Sequence, residues 1–241
     1  MNLDRTPNPR GGVPRASCDN VSFPFANVGR GELMWVPKRD PHLLVAGSDG
    51  SGKTFLVRHL LDEVRTAGWE TWMAAGTANA VRDDAGVDRL AESENDRQAL
   101  VDDAHTVMVD RYRRRTETPL ESVRPILFVI EEPSRLHEEA FENLTALAMY
   151  GRSVEVHLLI TMTDLDGRLL AGHFRDVLSP CIGLGQLSQA ASRMLFGDPF
   201  TGSMAGPGTG HIIGHHGRPR PIGIEARGSG MAEDAQEGTS W

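Results

Sequence analysis

Gly47-Ser48-Asp49-Gly50-Ser51-Gly52-Lys53-Thr54 is a complete G-x-x-x-x-G-K-[ST] run, and its setting decides the fold. The run before it, Pro41-His42-Leu43-Leu44-Val45-Ala46, is short, apolar and strand-like. The run after it, Phe55-Leu56-Val57-Arg58-His59-Leu60-Leu61, has helical spacing. A strand, a glycine-rich loop and a helix in this order give the spacing a physical meaning. Glycines let the backbone wrap a polyphosphate with successive N–H groups pointing inward. The helix N-terminus adds partial positive charge. Lys53 is then placed to reach the β- and γ-phosphates and Thr54 to offer its hydroxyl to Mg²⁺. The expected nucleotide contacts are Gly47, Ser48, Asp49, Gly50, Ser51, Gly52, Lys53, Thr54 and Phe55. A Gly/Ser turn can mimic this spacing by chance, but the flanking strand and helix argue against that.

Composition bounds the rest. The 241 residues are enough for one α/β domain with extensions, and 39% apolar content is enough for it to fold. No apolar run approaches a membrane span, and no apolar signal segment opens the chain. Cys18 and Cys181 lie far apart and make no metal-ligand pattern, which fits a reduced, cytoplasmic protein. The net charge of −8 argues mildly against a chain coated in nucleic acid, without excluding a local basic surface. Lysine occurs only at Lys38 and Lys53, and one of these is the residue the loop requires.

Working outward, residues 1–30 are rich in Pro and Gly and read as an extended or disordered arm. A short strand is expected over 32–36, a helix over 53–67 and a strand over 70–74. Residues 92–115 have a helical period, with Leu100, Val101, Ala104, Val107, Met108 and Tyr112 on one stripe. Residues 126–130 form an apolar run without alternation, as a central parallel strand reads. A helix over 136–150 follows, then strands at 154–161 and 181–184 and a helix over 187–196. Residues 211–214 and 221–224 suggest a terminal hairpin, and 226–241 a disordered acidic tail. Alternating strands and helices imply a mainly parallel sheet with right-handed crossovers, here over 31–225.

A phosphate loop needs carboxylates to hydrolyse what it binds. Glu131-Glu132 follow the apolar run and so stand at the carboxyl end of a strand, where open α/β sheets bind ligands. Glu131 is assigned to the Mg²⁺ shell through water, and Glu132 to polarising the attacking water. A solvated acidic pair opening a loop is the plainer reading; the five buried residues before it favour function.

Residues 41–47 running into the loop closely resemble the start of the FtsK/SpoIIIE motor domain. Gly151-Arg152-Ser153-Val154-Glu155-Val156-His157-Leu158-Leu159-Ile160-Thr161 resembles that family's A-R-A-x-x-I-H-L strand. The spacing of loop, acidic strand and this third block fits, as do Met108 with Arg111-Tyr112 and the Ser192-Arg193 helix. The resemblance spans roughly 30–225 and implies a RecA-like P-loop NTPase of the HerA/FtsK type, with helices on both sheet faces and a C-terminal antiparallel hairpin. It implies an ATPase using ATP and Mg²⁺, assembled as a homohexameric ring that pumps double-stranded DNA. By position, Arg152 is then an arginine finger reaching a neighbour's γ-phosphate, and Thr163 a polar sensor. With neither a membrane anchor nor a winged-helix reader in the sequence, the plan is that of a small phage- or plasmid-type member.

Three departures stand out. The first acidic position is Glu131, where the family more often has Asp. Ala75-Gly76-Thr77 replaces Asp-Pro-Lys, and Met162-Thr163 replaces Thr-Gln. They keep open a second reading, a catalytically weak nucleotide-binding P-loop protein acting as an ATP-switched assembly or adaptor factor in DNA transfer or partitioning. A small-molecule kinase is a third, weaker one, because residues 75–100 show no arginine-rich lid. DNA-contacting residues are not assigned. Arg111 with Arg113, Arg114 and Arg115 is one basic patch and Arg218 with Arg220 another, each read more simply as a solvated helix end or turn. His157 reads as a core histidine.

Overall fold

A computed structural model describes residues 21–28, 31–76, 86–117, 123–163, 167–170, 177–197, 206–214 and 217–224. The strands are β1 (Phe23–Val28), β2 (Gly31–Trp35), β3 (His42–Gly47), β4 (Glu70–Ala74), β5 (Arg89–Ala91), β6 (Ile126–Glu131), β7 (Val156–Met162), β8 (Cys181–Leu184), β9 (Thr209–Ile213) and β10 (Arg220–Gly223). The helices are α1 (Lys53–Thr66), α2 (Glu94–Arg114), α3 (Glu138–Tyr150), the short α4 (Gly167–Leu170) and α5 (Gln189–Phe196). Among the described residues the ten strands form one sheet in the order β2-β1-β10-β9-β8-β3-β7-β6-β4-β5. The six from β8 to β5 run parallel, and β9, β10, β1 and β2 extend the sheet antiparallel.

Strand alternation sends successive residues to opposite faces, so a strand buried on both faces must be apolar throughout. β3 and β6 meet that condition. Leu43, Val45, Leu127, Val129 and Leu159 pack with Leu56, Val57, Leu60 and Val64 of α1. Leu44, Ala46, Phe128, Ile130 and Ile160 pack on the other face with Leu100, Val101, Ala104 and Met108 of α2 and Leu144 and Leu147 of α3. The parallel core with helices on both faces and the β9–β10 antiparallel pair is therefore the architecture expected from the alternation of elements. The expected apolar stripe of α2 is the buried one, with Val107 and Tyr112 partly buried at its margin.

Three elements differ from expectation. Residues 23–28, assigned to the N-terminal arm, form β1, which pairs with β2 and β10 and buries Phe23 and Phe25 beside Trp35. Pro24 misleads here: it sits where the β1–β2 register shifts between Pro24 and Ala26, a position that tolerates a missing N–H. The strand expected from 154 begins at Val156, because Gly151–Val154 form a 3-10 turn closed by Glu155 at φ 60°. β5 is an unexpected three-residue edge strand beside β4. The first 20 residues, residues 215–216 between the two hairpin strands, and the tail lie outside the described residues.

Candidate functional site

The sheet order puts β7 between β3 and β6, so the phosphate loop and the acidic pair flank one central strand. In parallel strands all carboxyl ends lie at one edge. The register sets Ala46 against Met162, and Glu131 against Thr161. The cleft at this edge has a volume of about 610 Å³. It is lined by residues 48–55, Gly76, Glu131, Glu132, Arg135, Thr161 and Thr163. Gly47 ends β3 and leads into it.

The loop turns on Gly50 at φ 74° and Gly52 at φ 109°, conformations that a Cβ would strain. Its underside is held from the sheet extension, where Gly208 N–H donates to the Ser51 carbonyl at 2.9 Å. Lys53, first residue of α1, donates from Nζ to the carbonyls of Gly47 (2.5 Å) and Ser48 (3.1 Å), and to Thr163 Oγ1 (3.3 Å). Burial pulls the ammonium pKa down, and the carboxylates of Glu132, Asp49 and Glu131 oppose that pull. Lys53 thus sits half-buried among carbonyl and carboxylate oxygens, the charge a phosphate loop places under a polyphosphate.

Glu131 ends β6, is buried, and accepts from the Gly76 N–H at 2.9 Å. Burial raises its carboxyl pKa, and the Gly76 N–H, Arg97 and Lys53 partly offset this. Gly76 fits closely: a Cβ there would meet Glu131 Cβ at 3.1 Å and Glu132 Cγ at 3.2 Å. The next residue, Glu132, has φ 48° and ψ 62°. That left-handed turn swings its carboxylate across β7, where Oε1 accepts the Thr163 N–H at 2.7 Å. Thr163 therefore touches both halves of the site, Lys53 through its hydroxyl and Glu132 through its amide.

The structure brings together residues 47–55, Glu131, Glu132 and Thr163. Arg152 lies elsewhere. It precedes β7 at the opposite edge of the sheet and donates to the Lys38 carbonyl ahead of β3. The length of β7 separates it from its own chain's loop. Arg111, from the first basic patch, donates to the carbonyls of Val154 (2.9 Å), Glu155 (3.1 Å) and Arg124 (2.9 Å), bonds that serve the fold. Arg113 and Arg115 are exposed, and Arg114 pairs with Asp110. His157 is the expected core histidine, donating from Nδ1 to the Pro41 carbonyl at 3.0 Å.

Sequence reasoning missed Gly76, Arg97 and Arg135. Arg135 follows the acidic pair in a 3-10 turn, Pro133–Arg135, and donates to the Gly76 carbonyl at 3.1 Å. Arg97 is 3% exposed and donates to the backbone carbonyls of Glu131 and of Glu132 (3.2 Å for the latter). A signal was present: Arg97 and Arg111 stand at the two ends of the α2 apolar stripe, where solvated arginines do not belong.

The cleft's chemistry fits Mg²⁺ with a nucleoside triphosphate. The oxygens that line it, among them the Thr54 hydroxyl and the Glu131 and Glu132 carboxylates, are of the kind Mg²⁺ takes beside phosphate oxygens and water. Among the described residues no cluster of three His, Cys, Asp or Glu could hold a metal without such a ligand.

The fold is that of a RecA-like core with a phosphate-loop sequence between β3 and α1. No protein-family model matches the sequence, and no curated protein matches it. Solved structures do share its fold. The cytoplasmic domain of the type VII secretion ATPase EccC of Thermomonospora curvata matches with a TM-score of 0.71 at 22% identity, over 88% of this chain and 29% of that one. The pCW3 conjugation coupling protein TcpA, solved with ATPγS, matches with 0.67 at 15%, over 86% and 67%. The genome packaging NTPase B204 of Sulfolobus turreted icosahedral virus 2 matches with 0.52 at 10%, over 80% of this chain and 100% of that one. The chain spans less than a third of the EccC domain's length. Among the described residues, no helix is long and apolar enough to cross a membrane.

Proposed function

We propose that this chain is an ATP-dependent translocase of double-stranded DNA, an FtsK-like motor core that hydrolyses Mg²⁺-ATP in a ring. The observation that carries the reading is the meeting of Lys53, Thr163, Glu131 and Glu132 at one sheet edge, with β7 between the two halves. Residues 47–55 hold the phosphates. Thr54 and, through water, Glu131 hold Mg²⁺, which supplies charge neutralisation on the phosphate oxygens. Glu132 orients and polarises the attacking water, and Thr163 keeps Glu132 in register with Lys53. Arg152, at the far edge of its own subunit, serves as a finger only toward a neighbour, so the reading requires a head-to-tail ring. The DNA-directed part draws on the sequence resemblance and on two neighbours named for conjugation and genome packaging. The domain proper comprises residues 23–225 in this reading.

The second reading is a weakly hydrolysing, ATP-switched adaptor. Glu131 in place of Asp, Ala75-Gly76-Thr77 in place of Asp-Pro-Lys and Met162-Thr163 in place of Thr-Gln favour it. Phosphate release with and without linear duplex DNA, on wild type and Glu132→Gln, separates the two. Turnover raised many-fold by DNA and lost in Glu132→Gln supports the motor. Tight ATP binding without turnover supports the adaptor. Turnover indifferent to DNA removes the DNA substrate from the reading. Lys53→Ala is expected to abolish hydrolysis, and Arg152→Ala to spare binding while removing turnover.

A further inference from the structure

Glu132, at φ 48°, adopts a backbone conformation that residues with a Cβ avoid. It is followed by Pro133, which itself disfavours a right-handed helical residue at 132. The sharp turn leaves the carbonyls of Glu131, the last paired residue of β6, and of Glu132 facing α2, and the Glu132 carbonyl also accepts the Arg135 N–H at 3.2 Å. One guanidinium group covers both: Nη2 of the buried Arg97 donates to each. A buried arginine without a carboxylate hydrogen bond is expensive, and carbonyl oxygens that lose their donor are too. The charged groups around this guanidinium are Glu94, Glu131, Glu132 and Arg135.

We propose that Arg97 is the positioning residue of the acidic pair. The two N–H groups of Nη2 fix the two carbonyls, hold Glu132 in the left-handed turn, and so keep the Glu132 carboxylate on the Thr163 amide. Lysine reproduces this only in part, because its ammonium rotates freely and is more strongly hydrated, whereas the guanidinium holds the two Nη2 N–H groups in one fixed plane. The proposal rests on the reading of Glu131-Glu132 as the acidic pair of an ATPase, and its test separates the two.

The test uses the full chain as wild type, Arg97→Met and Arg97→Lys. The first readout is hydrogen exchange at the Thr163 amide without nucleotide, which depends on the Glu132 carboxylate and not on catalysis. The second is turnover against KM, with binding of a fluorescent ATP analogue. Arg97→Met is expected to exchange faster at Thr163, to bind nucleotide as wild type does, and to lose about 10–100-fold in kcat with little change in KM. Arg97→Lys is expected to fall between. Should Arg97→Met fail to fold, Arg97→Lys decides: wild-type exchange at Thr163 together with wild-type kcat overturns the proposal. If the wild type hydrolyses no ATP, the ATPase reading fails while exchange at Thr163 still decides the role of Arg97. If it hydrolyses ATP and exchange at Thr163 is unchanged in both variants, the positioning role fails alone.

Discussion

His42 opens β3 and is fully buried, and its Nδ1 accepts the Leu158 N–H at 3.0 Å. That bond requires an unprotonated Nδ1. Burial, then the neighbouring His157 ring 6.4 Å away, then Arg152, push the pKa of His42 from 6.5 down to about 3. The Glu155 carboxylate stands on the far side of His157, 3.6 Å from its Nε2. Because the folded pKa lies below the unfolded one, the neutral ring favours the folded state. The stabilisation is whole above pH 6.5 and is lost as pH falls toward 3. Each pH unit inside that window costs about 1.4 kcal/mol, so pH 5 costs about 2 kcal/mol relative to pH 8. For a domain of this size that is a fall in Tm of roughly 4–8 °C. The buried Glu131 works in the opposite sense, its raised pKa adding stability as pH falls, so wild type alone does not isolate His42. The comparison is with His42→Asn, whose side-chain oxygen can still accept the Leu158 N–H and does not titrate. Thermal unfolding at half-unit steps from pH 5 to 8 should show the two curves converging at low pH by about 2 kcal/mol. Parallel curves would refute the reasoning, as would an NMR titration in which the His42 ring protonates between pH 5 and 7.

Three further outcomes are expected, two at the site and one in the fold that supports it. Gly76→Ala should destabilise by about 1–3 kcal/mol through the close Cβ contacts with Glu131 and Glu132, leave nucleotide affinity intact and slow phosphate release. By loosening the Gly76 N–H bond it should also move the acid limb of the rate profile upward, since that bond holds the Glu131 pKa down; an unmoved limb argues against Glu131 as the titrating group. Thr163→Val removes the hydroxyl that meets Lys53 but keeps the amide on Glu132, so turnover should fall on the order of 10–100-fold with Thr163 exchange unchanged. Arg111→Ala should cost about 2 kcal/mol in chemical denaturation, through its three carbonyl bonds, and leave DNA affinity unchanged; weakened DNA binding by a folded variant would return Arg111 to the DNA surface.

Local sequence determined the loop, because its chemistry is written in consecutive residues. Glycines at the two positive-φ positions, the lysine and the threonine need no distant partner to be recognised. It also determined β3, β4, β6, β8, α1 and the buried face of α2, where uninterrupted apolar runs or a 3.6-residue period leave one solution. The placement of Glu131 at a strand end was legible for the same reason. Local rules failed where they point the wrong way. Pro24 marks an arm by itself, and only pairing with β2 and β10 makes residues 23–28 a strand. Arg111 reads as part of a basic patch until the chain brings the carbonyls of residues 124, 154 and 155 to it.

Tertiary structure alone decided how the two halves of the cleft meet. The strand order places β7 between loop and carboxylates, which makes Thr163 the bridge from Lys53 to Glu132. It carries Arg152 to the opposite edge of the sheet, and it sets a buried Arg97 against the backbone of the acidic pair. The burial of Arg97 has a signature in its own helix, but the partner in each of these relations does not, since each joins segments far apart in the chain. The physical reason is that a parallel sheet gathers its carboxyl ends at one edge whatever the sequence distance between strands, while the residues at those ends are chosen one loop at a time.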